Sequence, residues 1–265
     1  MPNNLIIPPN RIKHALGEGQ SVIGTMIAEI RQPAVVQLLA NAGFDFIIVD
    51  NEHGAFNLET IADLTRMAVY VGVTPIVRIP DLTYPYIAQS LDAGAQGIMA
   101  PRISTAQQVR EVVQMMKYPP LGMRGSALSR GYTRFKGGPV VETMASVNEE
   151  TMLIVQVETR GAIENIEEIV ATPGVDVALI GPNDLSIALD VPGQQDHPHM
   201  QAAIQKVMET CQRHDVFPAI HINDLKLAVY WAKQGMRLVS SNAEIGLLVK
   251  GGLEVTSAIG QAMGR

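Results

Sequence analysis

With 265 residues and 47% hydrophobic content, the chain can bury a large core in one large domain or two small ones. A formal net charge of −6, with no long block of Lys or Arg, leaves no electrostatic footprint for a phosphate backbone, so nucleic acid is not an expected partner. No apolar run reaches the roughly 20 residues of a membrane span, and the polar, proline-containing start lacks a signal-peptide hydrophobic stretch; the expectation is a soluble cytoplasmic protein.

In chain order, short apolar runs alternate with longer amphipathic ones. Strands are predicted over 22–27, 45–49, 75–79, 97–100, 152–157, 177–180, 218–222 and 237–240. Helices are predicted over 33–41, 58–70, 84–93, 105–116, 162–171, 199–214, 225–234 and 243–263. Gly43, Gly94 and Gly235 each follow a helical run and precede a strand, where glycine closes a helix in the left-handed conformation. Short, wholly apolar strands separated by helices are the signature of a parallel sheet buried on both faces. Eight such units in about 250 residues fit an α/β fold of the (β/α)8 TIM-barrel type. No low-complexity linker interrupts them, so residues 1–265 read as one barrel domain. The segment 117–150 breaks the rhythm, and a connection of that length is expected to be functional or to carry structure of its own. The lone cysteine, Cys211, falls in a helical pattern and reads as a small buried hydrophobe in a reducing compartment.

In such a barrel the loops after the strands form the active face. The polar residues predicted there are Glu29, the run Asp50, Asn51, Glu52 and His53, then Arg78, Arg102, Gln156, Glu158, Asn183, Asp184, His221 and the trio Ser240, Ser241 and Asn242. Glu158 and Asp184 stand out, because two carboxylates at the ends of neighbouring buried strands repel unless a cation lies between them. None of the seven lysines falls in a predicted strand, which disfavours an imine mechanism and favours metal-assisted polarisation of a carbonyl. For Arg78, a fixed anionic partner or a bound anion would each justify an arginine in an apolar strand. A hydrogen-bonded core role is the competitor for His53, and His221, ending a strand on the active face, has both readings too. His197, His199 and His214 read as solvated or helix-capping.

Six segments carry a resemblance: Asp50-x-Glu52-His53-Gly54, Val77-Arg78, Gly97-Ile98-Met99-Ala100-Pro101, Tyr118-Pro119-Pro120-x-Gly122-x-Arg124-Gly125, Val155-Gln156-x-Glu158-Thr159-Arg160 and Ile180-Gly181-Pro182-x-Asp184-Leu185-Ser186. In this order they resemble the HpcH/HpaI family of metal-dependent 2-oxoacid aldolases, from about Gly24 to the C-terminal helix. The resemblance implies that Glu158 and Asp184 bind Mg²⁺, Mn²⁺ or Co²⁺, with pyruvate completing the chelate. It implies that Arg78 contacts the keto oxygen and stabilises an enolate. It also implies that His53, oriented by Asp50 and acting with a water on the metal, removes the hydroxyl proton in retro-aldol cleavage.

By the same resemblance Gln156 lies near the metal and substrate, and backbone amides around Gly181, Pro182, Asn183 and Asp184 hold the substrate carboxylate. Glu52 reads as a group that orders the ligands or a water from behind. Arg124 and Ser126 belong to a segment expected to lie over the site, and the basic stretch 130–138 has two readings, a flap favouring an anionic aldehyde or diacid and a merely solvated one. The resemblance implies a homohexamer that exchanges its C-terminal helix between subunits; apolar Ile245, Leu247, Leu248, Val249 and Leu253 fit such an interface and fit intramolecular packing equally well. The implied activity is reversible cleavage of a 4-hydroxy-2-oxoacid to pyruvate and an aldehyde. The competing readings are oxaloacetate decarboxylation or citrate-lyase-like cleavage of an acyl-CoA on the same site, and a non-catalytic oxoacid-binding barrel.

Overall fold

The computed structural model describes residues 7–265; residues 1–6, on which part of the N-terminal reading rests, lie outside the described residues. Eight parallel strands close into a barrel in sequential order, with the last paired to the first. They are β1 (Val22–Ile27), β2 (Phe46–Asp50), β3 (Thr74–Arg78), β4 (Gly97–Ala100), β5 (Met152–Val157), β6 (Val177–Ile180), β7 (Phe217–His221) and β8 (Leu238–Ala243). Each predicted strand is present, with ends shifted by a few residues. The largest shift is in β8, which runs on to Ala243 through the polar trio.

Between the strands lie α2 (Ala34–Asn41), α3 (Leu58–Val71), α4 (Tyr84–Ala93) and α5 (Ala106–Met116) in the first half. The second half carries α7 (Arg160–Glu164), α8 (Ile166–Val170), α9 (Pro182–Ala188), α10 (Pro198–Arg213) and α11 (Leu225–Lys233), and α12 (Glu244–Ala262) follows β8. Sequence reasoning treated 162–171 as one helix, and the structure breaks it at Asn165, whose side chain turns away to donate to Ser104 O at 2.9 Å.

Besides the short α9, two further helices were not anticipated. The first, α1 (Arg11–Gly17), is N-capped by Asn10 and sends Ile12 and Leu16 into the apolar cluster that fills the barrel interior, so it plugs the end where the strands begin. The second, α6 (Val140–Glu150), lies in the long segment 117–150 together with a 3-10 turn at Gly131–Thr133. That segment is pinned to the barrel by polar bonds. Lys117, buried at the end of α5, donates through Nζ to Asn148 O at 2.6 Å and to Thr151 O at 2.8 Å, while Asn148 bonds both ways with the Tyr118 backbone. Burial first, and neighbouring Lys13 next, push the Lys117 amine down to about 8.

The period of two along each strand divides the core. Residues facing outward join the large cluster under the helices, and those facing inward, among them Phe46, Ile48, Ile76 and Ile154, fill the barrel. Phe46 takes so much of that space that a Cβ on Gly24 would clash with its ring. Among the described residues, no helix is long and apolar enough to cross a membrane.

Gly24→Ala is expected to destabilise the fold by about 1–3 kcal/mol through overpacking. Adding Phe46→Leu in the same chain should return part of that loss, a non-additivity that urea unfolding of the single and double variants will read.

Candidate active site

The inward-facing rows end in polar groups. Phe46 and Ile48 lead to Asp50, Ile76 to Arg78, Ile154 to Gln156, Ala219 to His221, and Leu238 to Ser240. The apolar filling of the barrel thus carries a polar floor at the carboxyl ends of the strands. Above it opens a cleft of about 360 Å³, whose lining includes Arg78, Gln156, Asp184, His53 and His221 together with Met26 and Met99. No lysine lines this cleft, and the buried Lys117 is committed elsewhere.

Asp50 and Arg78 stand opposite one another in the β2–β3 register. Arg78 Nε donates to Asp50 Oδ1 at 2.9 Å and Nη2 to Oδ2 at 2.7 Å, a two-pronged pair between buried side chains. Glu52 Oε2 lies 3.2 Å from Arg78 Nη1, and its Oε1 accepts from Arg102 Nε at 3.2 Å. Burial alone would raise the Asp50 carboxyl, but the hydrogen bonds and charge of Arg78 overcome it and hold the carboxyl below the usual range. Burial likewise works against the Arg78 charge, and Asp50, Glu52 and Glu158 together more than restore it. Arg78 is therefore a permanent cation, its guanidinium held by two carboxylates at the lining of the cleft.

Glu158, just past β5, is also buried. Its Oε1 accepts from the backbone N–H of Arg102 at 2.8 Å, an amide turned toward it by a left-handed φ of 54° at that residue. Its Oε2 accepts from Gln156 Nε2 at 2.5 Å. Gly181 lets the backbone pass close by, since a Cβ there would stand 2.9 Å from Glu158 Oε2. Burial, and then the charges of Glu52 and Asp184, push the Glu158 carboxyl up to about 7 against the pull of the Arg102 amide. Asp184 sits exposed in the first turn of α9. Close beside this pair, the buried Gln156 Oε1 has no donor.

A crowded acidic pair with an unpaired carbonyl oxygen next to it is an all-oxygen donor set that suits a hard divalent cation. Among the described residues, no group of three or more His, Cys, Asp or Glu surrounds one point. Glu158 and Asp184 would therefore hold such an ion with water or substrate oxygens completing its shell.

Several expectations need correction. Asp50 does not orient the His53 ring: both its oxygens are taken by Arg78, and its remaining bonds go to the backbone N–H groups of Glu52 and His53. The His53 ring stands at the mouth, 61% exposed, with Nε2 3.9 Å from Glu52 Oε2. Of the amides around 181–184, the Gly181 N–H is spent on Val157 O at 3.2 Å and Pro182 has none, which leaves those of Asn183 and Asp184. The Asn183 side chain accepts from Gln195 at 2.6 Å.

Arg124 is not a group of this cleft. It is 3% exposed, bonded to Asp92 at 2.6 Å and held between the rings of Tyr118 and Tyr132, so it fastens the long segment to α4. Ser126 is exposed and does not line the cleft either. The basic stretch 130–138 rests on the outer helices, with Gly131 against Ala93 O and Phe135 under Arg66, and not over the mouth.

Sequence reasoning passed over Met26, Met99, Asn223 and Ala243 in the cleft wall. The period of two from Gly24 to Met26 and from Gly97 to Met99 carried that signal. It also passed over Glu244, whose buried carboxylate accepts from the backbone N–H groups of Ala28, Glu29 and Ile30 at 2.7–3.1 Å and ties the start of α12 to the loop after β1.

A barrel with this floor and an acidic pair at its rim is the architecture of an enzyme family. The model of the HpcH/HpaI aldolase/citrate lyase family matches residues 26–246, and the chain belongs to that family. It is 33% identical over 251 residues to the hydroxypyruvate/pyruvate aldolase of Roseobacter denitrificans, covering 94% of this chain and 97% of that one. It is 34% identical over 245 residues to the 4-hydroxy-2-oxo-heptane-1,7-dioate aldolase of Escherichia coli, covering 91% of each. The crystal structure of an HpcH/HpaI aldolase from Desulfitobacterium hafniense DCB-2 superposes with a TM-score of 0.89 at 33% identity, over 94% of this chain and 96% of that one. The expected family and the expected barrel both hold.

Glu158 binds its proton more tightly in the fold than in the unfolded chain. Without a cation, its contribution is lost as the pH rises from about 4.5 through about 7. Glu158→Gln should therefore flatten that decline, as thermal melts in a chelator between about pH 5 and about pH 8 will show; an unchanged slope would assign the decline to other groups.

Proposed function

We propose that this protein is a class II aldolase, a carbon–carbon lyase that reversibly cleaves a 4-hydroxy-2-oxoacid to pyruvate and an aldehyde. The observation that carries the reading is the Arg78 guanidinium, held by Asp50 and Glu52 and lining the same cleft as Asp184 and Gln156, with Glu158 bonded to Gln156 just behind. Glu158 and Asp184 would hold Mg²⁺, Mn²⁺ or Co²⁺, which supplies a Lewis acid for the 2-oxoacid.

The chain's own groups then have distinct tasks. The N–H groups of Asn183 and Asp184 receive the substrate carboxylate, and Gln156 Oε1, lacking a donor, is free to order an oxygen ligand or a water. His53, at the mouth, takes the proton from the hydroxyl on C4, directly or through water. The C3–C4 bond breaks, the aldehyde forms at C4, and the bonding pair passes through C3 to the oxygen on C2. Arg78, already charged and already oriented, meets that negative charge with no rearrangement. Protonation at C3 gives pyruvate. A base at the open mouth suits an aldehyde that enters and leaves there, while the enolate stays on the buried floor.

Assembly belongs to the same proposal. The helix α12 buries only Glu244, and it exposes Leu248, Val249, Leu253, Val255 and Ile259 along its length. A row of that kind on a helix leaving the barrel supports a homo-oligomer, and the resemblance supports a hexamer. We read the whole chain as one barrel domain of a cytoplasmic protein, with its lone cysteine buried and unpaired.

Exchange of deuterium into the pyruvate methyl group, followed by NMR with and without divalent metal, tests the chemistry before any aldehyde is known. Metal-dependent exchange is expected, and its absence with all three metals would overturn the reading. Arg78→Ala should abolish exchange. Arg78→Lys, which keeps the charge and loses the fork, should still lower it by roughly a hundredfold, in the range for losing one preorganised donor. His53→Ala should slow cleavage more than exchange. Leu248→Asp should lower the assembly mass in sedimentation velocity.

A further inference from the structure

The function proposed above leaves one polar group of the floor without a task. His221 ends β7 in the same inward-facing layer as Arg78, Gln156 and Ser240, and its ring lines the cleft. Its Nδ1 is paired with Ser240 Oγ at 2.8 Å across the β7–β8 register, which fixes the ring plane. Its Nε2 has no partner among the described residues. Burial first, and the charge of Arg78 next, push the imidazole down to about 4, so it is neutral wherever the enzyme would work.

The placement of the substrate follows from the order of strands around the barrel. The carboxylate is received past β6, and the oxygen on C2 faces Arg78 on β3, so the 2-oxoacid spans the cleft. Glu158, Asp184 and Gln156 occupy the flank formed by β5 and the start of α9. The opposite flank, from β7 through β8 to β1, is walled by His221, Ala243 and Met26. The substituents on C3 of an oxoacid so placed would turn to that flank, where Ala243 and Met26 are apolar and His221 and Asn223 are polar; of these two, His221 stands in the floor layer with its ring fixed by Ser240. With Ser240 donating to Nδ1, Nε2 carries the hydrogen; with Nδ1 donating, Nε2 is the acceptor. A hydroxyl satisfies either tautomer. A methyl hydrogen satisfies neither, and an anion gains no charge from a neutral ring.

We propose that His221 is a specificity-determining residue that hydrogen-bonds a hydroxyl on C3 of the 2-oxoacid, so that the enzyme favours a 3-hydroxy-2-oxoacid donor over pyruvate. The proposal rests on the aldolase reading and adds to it the residue that tells a hydroxylated donor from pyruvate, the two donors in a relative's name. Ser240 is the positioning residue that sets the ring. A site built to pair a substrate hydroxyl discriminates against the analogue without it because its own polar atom is then left unpaired.

The test compares kcat/KM for hydroxypyruvate and for pyruvate as donors, with acetaldehyde as the acceptor and the metal-loaded protein. His221→Leu is expected to lower the hydroxypyruvate-to-pyruvate ratio by roughly tenfold or more, chiefly through loss with hydroxypyruvate. His221→Gln, whose amide reaches toward the place of Nε2, should recover part of the ratio, and Ser240→Ala should shift it the same way by less. An unchanged ratio in His221→Leu, or an equal fall with both donors, would overturn the proposal. Equilibrium binding of the two oxoacids to the same variants by calorimetry reads the same preference without turnover. Absent pyruvate exchange in the wild type would sink the aldolase reading, whereas binding without preference for the hydroxylated acid would sink this one.

Discussion

The two-pronged pair of Asp50 and Arg78 sets the terms for everything above the apolar filling of the barrel. A guanidinium near the middle of a protein is stable only with its charge matched and its donors engaged. Here the match comes from the neighbouring strand at the facing register position, so the geometry is fixed by the sheet and not by a loop. Removing Asp50 would leave Arg78 with Glu52 alone, and removing Arg78 would leave the Asp50 and Glu52 carboxylates without the cation they share. Glu52 reaches back from the loop to the same fork and binds Arg102 with its other oxygen, so one ion-pair network links the ends of three strands. The cation that lines the cleft is thus held by the barrel strands themselves.

Around that fixed cation, the acidic pair is less settled. Glu158 is buried, crowded by Glu52 and Asp184, and pushed up to about 7, so its ionised form is costly in the protein alone. The molecule combines a matched ion pair on one side of the cleft with a crowded carboxylate pair on the other. This difference separates a group whose charge is matched within the fold from a carboxyl group whose ionised form is disfavoured there. His221 adds a third kind of group, a polar ring kept neutral by the burial and the cation that surround it.

The eight strands were legible because short apolar runs at regular spacing have few other solutions, and the polar ends of those runs marked the floor residues Asp50, Arg78, Gln156 and His221. Glu158 and Asp184 were legible for the same reason. What could not be read was where side chains from loops and helices turn. Arg124 sits in a motif that reads as substrate-facing, yet two tyrosine rings and Asp92 draw it to the outer helices. The Asp50–His53 pairing failed because a carboxylate has two oxygens and Arg78 claims both, a competition that spacing does not reveal. The helix α1 was hidden by its shortness, and its role appears only when Ile12 and Leu16 are seen closing the barrel. Glu244 looked like an ordinary acidic residue at a helix start.

That last residue joins two parts of the molecule that otherwise have little to do with one another. Its carboxylate gathers three successive amides of the loop after β1, next to Met26 in the cleft wall, and its backbone begins the long helix that leaves the barrel. A force applied to that helix reaches the wall by two routes, the Glu244 side chain and the backbone that runs from Ala243 of β8 straight into α12, at the seam where the first and last strands meet. The docking of α12 against any neighbour and the tautness of one side of the cleft are therefore mechanically geared together.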